Sequence, residues 1–178
     1  MALLEEQLVV KRSQIPNSGK GLFTKKFIPK GTRIVEYKGN VSAWKDVDHK
    51  DGSNGYIYFL NRNHVIDALP TPEHLARYAN DARGLSKIKG ITNNCNYVND
   101  KKQVYIESYK DIPAGGEILV NYGKDYWDTI RENIRIEKEK QKAAAKKSKK
   151  PGDGKKETGA SSKQTGVTKK KTVKTVKK

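Results

Sequence analysis

The stretch Glu117-Ile118-Leu119-Val120-Asn121-Tyr122-Gly123-Lys124-Asp125-Tyr126-Trp127 changes character twice within eleven residues. Its apolar run ending in a tyrosine reads as a buried strand, Ile118–Asn121. Gly123 breaks that run, and Asp125, with Asp128 three residues on, reads as a helix start. Trp127, Ile130 and Ile134 then share one helical face, which predicts a helix over 124–137 that docks on the preceding domain. Two earlier stretches stand out as well. Ser18-Gly19-Lys20-Gly21-Leu22-Phe23 sets a glycine pair before a strand, where missing side chains permit either a hairpin turn or close approach of a ligand. Arg77-Tyr78-Ala79-Asn80-Asp81-Ala82 reads as the end of a short helix, where asparagine tolerates a left-handed backbone.

The rest of the first 123 residues consists of short apolar runs separated by Gly, Pro and Asn, a β-rich pattern. Strands are predicted at Leu8–Lys11, Gly21–Thr24, Arg33–Tyr37, Tyr56–Leu60, His64–Ala68, Asn96–Val98 and Val104–Ser108, besides Ile118–Asn121. One helix interrupts them: Thr71 as cap, Pro72 at the first helical position and Glu73 behind it predict a short helix through Ala79. There is also an internal echo. Ile28-Pro29-Lys30-Gly31 and Ile112-Pro113-Ala114-Gly115 are both turns in which proline fixes φ and glycine frees the backbone before a strand resumes.

The three quoted stretches, in this order and spacing, resemble the signature of SET-domain protein lysine methyltransferases, from about Leu8 to Trp127. The resemblance implies a mainly β SET-domain fold: several small sheets, a threaded C-terminal segment, one short internal helix and a C-terminal helix. It divides the chain into a SET domain over 8–123, a helix over 124–137 and a disordered lysine-rich tail over 138–178. It implies S-adenosylmethionine as cofactor, contacted by Lys20, Gly21, Leu22, Asn80, Tyr122 and Trp127, with Tyr122 also catalytic. Tyr58, Tyr78, Val120 and Tyr126 are the expected substrate-channel residues, and the small Val120 leaves room for several methyl groups. Asn94-Cys95-Asn96 resembles the return segment that runs beneath the active site. One position departs from the family pattern: Asp81 stands where most members carry histidine, which opens the alternative of a non-catalytic scaffold that retains the fold.

Cys95 is the single cysteine, so no intrachain disulfide can form, and the chain lacks the cysteine cluster with which many SET enzymes bind zinc after the domain. No metal is expected, and this compact form resembles viral and bacterial SET proteins. The acidic start Met1–Val10 does not read as a signal peptide, and no apolar run approaches a membrane span, so the chain reads as soluble and intracellular.

Charge is distributed unevenly. Of 37 Lys and Arg, 16, all lysines, lie in Lys138–Lys178 beside three acids, so this segment carries +13 of the net +17. It has no aromatic residue and cannot bury enough apolar surface to offset the entropy of ordering. Its mixture of Lys with Ala, Pro, Gly, Ser and Thr resembles linker-histone and bacterial histone-like tails. Lysine without arginine suits diffuse phosphate attraction more than bidentate base reading. The expected partners are therefore a histone or histone-like substrate and, through Lys138–Lys178, nucleic acid of any sequence; association with chromatin or a nucleoid would follow. A nucleic-acid-compacting protein dominated by this tail is a further alternative. Deleting Lys138–Lys178 is expected to abolish DNA binding in gel-shift titrations while methyl transfer to a short peptide survives. In the intact chain, log affinity should fall with log salt at a slope of about −0.9 per neutralised phosphate.

Overall fold

A computed structural model of the chain describes residues 3–47 and 54–148, the side chains of 143–148 excepted. Among the described residues, eight strands form three antiparallel sheets. β1 (Leu8–Arg12) and β2 (Lys20–Thr24) make a two-stranded sheet. β3 (Arg33–Glu36), β8 (Gln103–Ser108) and β7 (Cys95–Asp100) form the second, in the order β3-β8-β7. β4 (Asn40–Ser42), β6 (His64–Asp67) and β5 (Ile57–Asn61) form the third, in the order β4-β6-β5. Seven of these match sequence expectations to within a few residues at each end. β4 has no counterpart among them, because three residues are too few for a periodic signal.

The two Ile-Pro turns that echo each other in sequence pair with each other in space. Ile28 N–H donates to the Ile112 carbonyl and Ile112 N–H to that of Ile28, both at 2.9 Å. Around this pair the bonds repeat almost symmetrically: Gly31 N–H reaches Ser108 O at 2.7 Å and Gly115 N–H reaches Thr24 O at 2.8 Å. Gly31 and Gly115 have φ of +81° and +80°, a left-handed backbone that glycine adopts without strain. Ile28 and Ile112 are fully buried in a core that also contains Leu22, Ile34, Ile106 and Ile118. Each such side chain contributes about 1.5–3 kcal/mol by leaving water.

Ile118–Asn121 forms no strand of its own. It threads between three segments, bonding one after another to each: Ile118 N–H to Leu22 O (2.8 Å), Val120 N–H to Asn80 O (2.8 Å) and Asn121 N–H to Cys95 O (3.2 Å). Single-residue bridges join Asn80 to Leu119 and Cys95 to Val120, both in parallel sense. The helix expected over 71–79 is a single 3₁₀ turn, Leu75–Tyr78. It stops because Ala79 turns extended (ψ 122°), delivering Asn80 to its pairing with the threaded segment.

Helix α1 (Lys124–Ser148) continues past Glu137, where sequence placed its end. Its residues have high helix propensity, and ion pairs one turn apart, Asp128–Arg131, Glu132–Arg135 and Arg135–Glu139, line its surface. The chain divides into two compact units with the boundary between Trp127 and Asp128: all the sheets belong to the first, and the second contains the helix from Asp128 on. Most of the tail, residues 149–178, lies outside the described residues, and with it the expectation of disorder there.

Cys95 lies under the threaded segment with no exposed surface, and burial pushes its thiol up to about 12. The thiolate is the nucleophile, so the folded protein should resist alkylation by iodoacetamide at pH 8. Labelling is expected only after unfolding in guanidinium; stoichiometric labelling of the native protein would contradict this packing.

Candidate active site

Two buried carboxylates organise the surroundings of Asn80. Glu117, 5% exposed, accepts from Ser13 Oγ (2.6 Å) and Gln14 N–H (2.8 Å), and Asn80 Nδ2 approaches it at 3.4 Å. Its carboxylate occupies the space a side chain at Gly21 would need, since a Cβ there would lie 2.3 Å from Glu117 Oε1. The absent side chain of Gly21 thus admits a protein carboxylate. Asp81, 3% exposed, accepts four N–H groups: Tyr122 N–H and Trp127 Nε1 on Oδ2, both at 2.8 Å, and Arg83 N–H and Asn93 Nδ2 on Oδ1, both at 2.7 Å. Each carboxylate is matched by donors from distant parts of the chain, which is what burying a charge requires.

Between them, Asn80 directs Nδ2 to Lys20 O at 2.9 Å as well as toward Glu117. Its side-chain Oδ1 has no hydrogen-bond donor among the described residues, whereas its main-chain carbonyl is taken by Val120 N–H. A groove of about 790 Å³ lined by residues 10–17, 19 and 20 adjoins Lys20.

Tyr122 stands at the end of the threaded segment and donates its hydroxyl hydrogen to Ala79 O at 2.6 Å. Burial, then the neighbouring Tyr126, raises its pKa well above 10, so the phenol stays neutral. Aromatic rings surround it. Trp127 stacks at 6.0 Å with a 13° interplanar angle, Tyr126 meets it edge-on at 4.9 Å, and Tyr97 stacks at 6.4 Å. Tyr58 continues the wall through Tyr97 at 5.1 Å, its hydroxyl on Asn99 Oδ1, and Tyr37 closes behind both.

The structure brings Lys20, Gly21 and Asn80 together beside Glu117, and Tyr58, Tyr122, Tyr126 and Trp127 into one ring cluster with Tyr97. Three residues lie otherwise. Leu22 is fully buried and its carbonyl is taken by Ile118 N–H. Val120 is likewise fully buried, in the main core. Tyr78 packs against the main core, its hydroxyl on Pro72 O at 2.9 Å and its ring beside the Arg77 and Lys20 cations at 5.5 and 5.8 Å. Tyr97 was missed by sequence reading; its position directly after Asn94-Cys95-Asn96 is the only signal for it. Glu117 was missed as well, since its partners lie up to 104 residues away.

With this geometry in hand, comparison with known proteins is decisive about kinship. The SET domain model matches residues 19–123, more than half of the chain. This chain belongs to the SET-domain family. It is 28% identical over 131 residues to the histone-lysine N-methyltransferase EZH2 of Chaetomium thermophilum, covering 67% of this chain and 8% of that protein. It is 24% identical over 124 residues to the N-lysine methyltransferase KMT5A-A of Xenopus laevis, covering 64% of this chain and 36% of that one. This SET chain thus spans about a third or less of the curated relatives named. Among solved structures, the methyltransferase domain of human PR domain-containing protein 2 superposes with a TM-score of 0.50 at 26% identity, over 67% of this chain and 78% of that one. A humanized mutant of the Chaetomium thermophilum Polycomb Repressive Complex 2, bound to the inhibitor GSK126, gives 0.54 at 25% identity, over 68% and 15%. Among the described residues, no group of three or more His, Cys, Asp or Glu could hold a metal ion, and no helix is long and apolar enough to cross a membrane.

Proposed function

We propose that this SET-domain protein transfers methyl groups from S-adenosylmethionine to lysine side chains of basic proteins, histones or histone-like proteins first among them. The observation that carries the reading is the pairing of the Tyr122 phenol with Ala79 O, one residue from the side-chain oxygen of Asn80 and inside a wall of aromatic rings. Relatives named as lysine methyltransferases support the same chemistry.

The residues present fit the cofactor. Asn80 offers its side-chain oxygen as an acceptor for an ammonium group, Lys20 a cation for a carboxylate, and the Tyr126 and Trp127 rings a surface for a base. When bound, S-adenosylmethionine supplies an electrophilic methyl on a sulfonium. The attacking amine must be neutral, although lysine has a reference pKa of about 10.4. Tyr58, Tyr97, Tyr122 and Tyr126 meet that need by forming a poorly hydrated wall that disfavours the ammonium and holds the amine in line. With its hydrogen committed to Ala79 O, the Tyr122 oxygen offers lone pairs to the reacting groups. As a phenol whose pKa lies well above 10, it orients and stabilises and does not take the proton. Because Asp81 is matched by four donors, its charge is compensated within the protein, and the scaffold alternative loses the feature that motivated it.

The lysine-rich tail extends the reading in two ways. It would attract nucleic acid and so bring the enzyme to chromatin or a nucleoid. Its lysines would also be tethered substrates at high effective concentration. Incubation with labelled cofactor and histones, histone-like proteins or the protein alone, followed by site mapping, tests both substrate classes; no label on any of them would refute the activity.

Tyr122→Phe is expected to lower kcat roughly a hundredfold with cofactor affinity nearly unchanged, because the hydroxyl acts in the transition state. Wild-type turnover in this variant would remove Tyr122 from catalysis.

The pH dependence has a definite sign. Tyr122 and Tyr97 hold their protons more tightly folded than unfolded, so their contribution to stability is complete below about pH 10 and is lost only as pH rises further. Within the stable range kcat/KM should therefore climb with pH as the substrate amine deprotonates, without a descending limb. A bell-shaped profile centred near neutrality would point to a titrating base instead.

A further inference from the structure

We propose that Asp81 is a positioning residue, which fastens the Trp127 indole and the Tyr122 main chain to the turn that carries Asn80 and so sets the aromatic wall before the cofactor arrives. The proposal rests on the reading of this site as one for S-adenosylmethionine.

The geometry is specific to a carboxylate. Four N–H groups converge on Asp81: the main chains of Tyr122 and Arg83, the Asn93 amide and the Trp127 indole. An ionised carboxylate has only acceptors and can receive all four. The histidine of the family pattern could not, since neutral imidazole has one acceptor nitrogen and imidazolium none. The departure at residue 81 and the indole at residue 127 are thus two halves of one device.

Trp127 is held on other sides too. Its ring lies against Gly84, where a Cβ would fall 2.8 Å from Cη2, and it stacks on Tyr122. Gly84 N–H in turn reaches Asp81 O at 3.3 Å. Asp81 therefore shapes both the surface that receives the indole and the bond that fixes its edge. Through Tyr122 N–H it also fixes the residue whose hydroxyl meets Ala79 O. A helix start at Lys124 that could pivot would carry Tyr126 and Trp127 away from Tyr122; the Asp81 bond removes that freedom.

The test combines fluorescence with calorimetry. The chain has two tryptophans, so Trp44→Phe leaves Trp127 as the sole indole reporter. In that background Asp81→Asn, isosteric but presenting N–H groups to N–H groups, should red-shift Trp127 emission and raise its quenching by acrylamide without cofactor. Glu117→Gln, at the other carboxylate, should leave the emission unchanged. With Trp44 restored, Asp81→Asn should weaken S-adenosylmethionine binding by roughly ten- to a hundredfold, as expected for losing a hydrogen bond to a charged group. The KM for cofactor should rise by more than kcat falls. Combined with Trp127→Phe, which keeps an aromatic ring but removes the indole donor, Asp81→Asn should cost distinctly less than it does alone. Unchanged emission in a folded Asp81→Asn protein, or strictly additive effects, would overturn the proposal. Should Asp81→Asn fail to fold, Trp127→Phe decides by itself: wild-type cofactor affinity would refute the role of the bond. Failure of the wild-type protein to bind the cofactor would instead refute the function proposed above, while the emission measurement would still decide whether Asp81 positions Trp127.

Discussion

Everything in the first unit depends on Glu117–Asn121 finding hydrogen-bond partners in three segments that are not neighbours in sequence. Ile118, Val120 and Asn121 donate to Leu22, Asn80 and Cys95 in turn, so β2, the Asn80 turn and β7 are brought around one extended backbone. An unpaired peptide group buried here would cost about 1–3 kcal/mol. The three segments must therefore be in place together for any one bond to form in the core. The site lies at the end of this construction, with Tyr122 as the residue that follows it.

Burying two carboxylates beside such a backbone is unfavourable unless each charge is met by donors. Glu117 and Asp81 meet that condition in different ways. Glu117 ties the Ser13–Gln14 segment to Asn80 and fills the space beside Gly21, so the glycine loop is shaped by protein contacts. Asp81 ties the Tyr122 backbone and the Trp127 indole to the other side of Asn80. Asn80 lies between the two carboxylates, its side-chain amide hydrogens directed to Lys20 O and Glu117 and its main-chain carbonyl to Val120 N–H. Such preorganisation lowers the cost of ordering groups when a ligand binds.

The ring cluster adds a chemical constraint. Tyr97 and Tyr122 resist ionisation because burial penalises the phenolate and neighbouring phenols add to the penalty. The same surroundings penalise any buried ammonium, so the cluster favours neutral groups on either side of the titration.

Local residue types were enough to read the strands, the glycine pair, the Asn80 turn and the tyrosine that ends the threaded run, because spacing and turn chemistry are encoded within a few residues. The echo of Ile28-Pro29 and Ile112-Pro113 was also visible, though only the fold shows that the two turns bond to each other. Sequence overextended the helix at Thr71, since propensity favours continuation where pairing of Asn80 with Leu119 demands an extended Ala79. That the Tyr78 ring lies beside Arg77 and Lys20 is set by the 3₁₀ turn and is not encoded in its neighbours in sequence. Sequence could not find Tyr97 as a neighbour of Tyr122, nor read Asp81 and Glu117 as organisers of the site. A carboxylate in a sequence looks alike whether solvated or buried. Which donors converge on it is decided by chain segments up to 104 residues away, and only the folded structure brings those together.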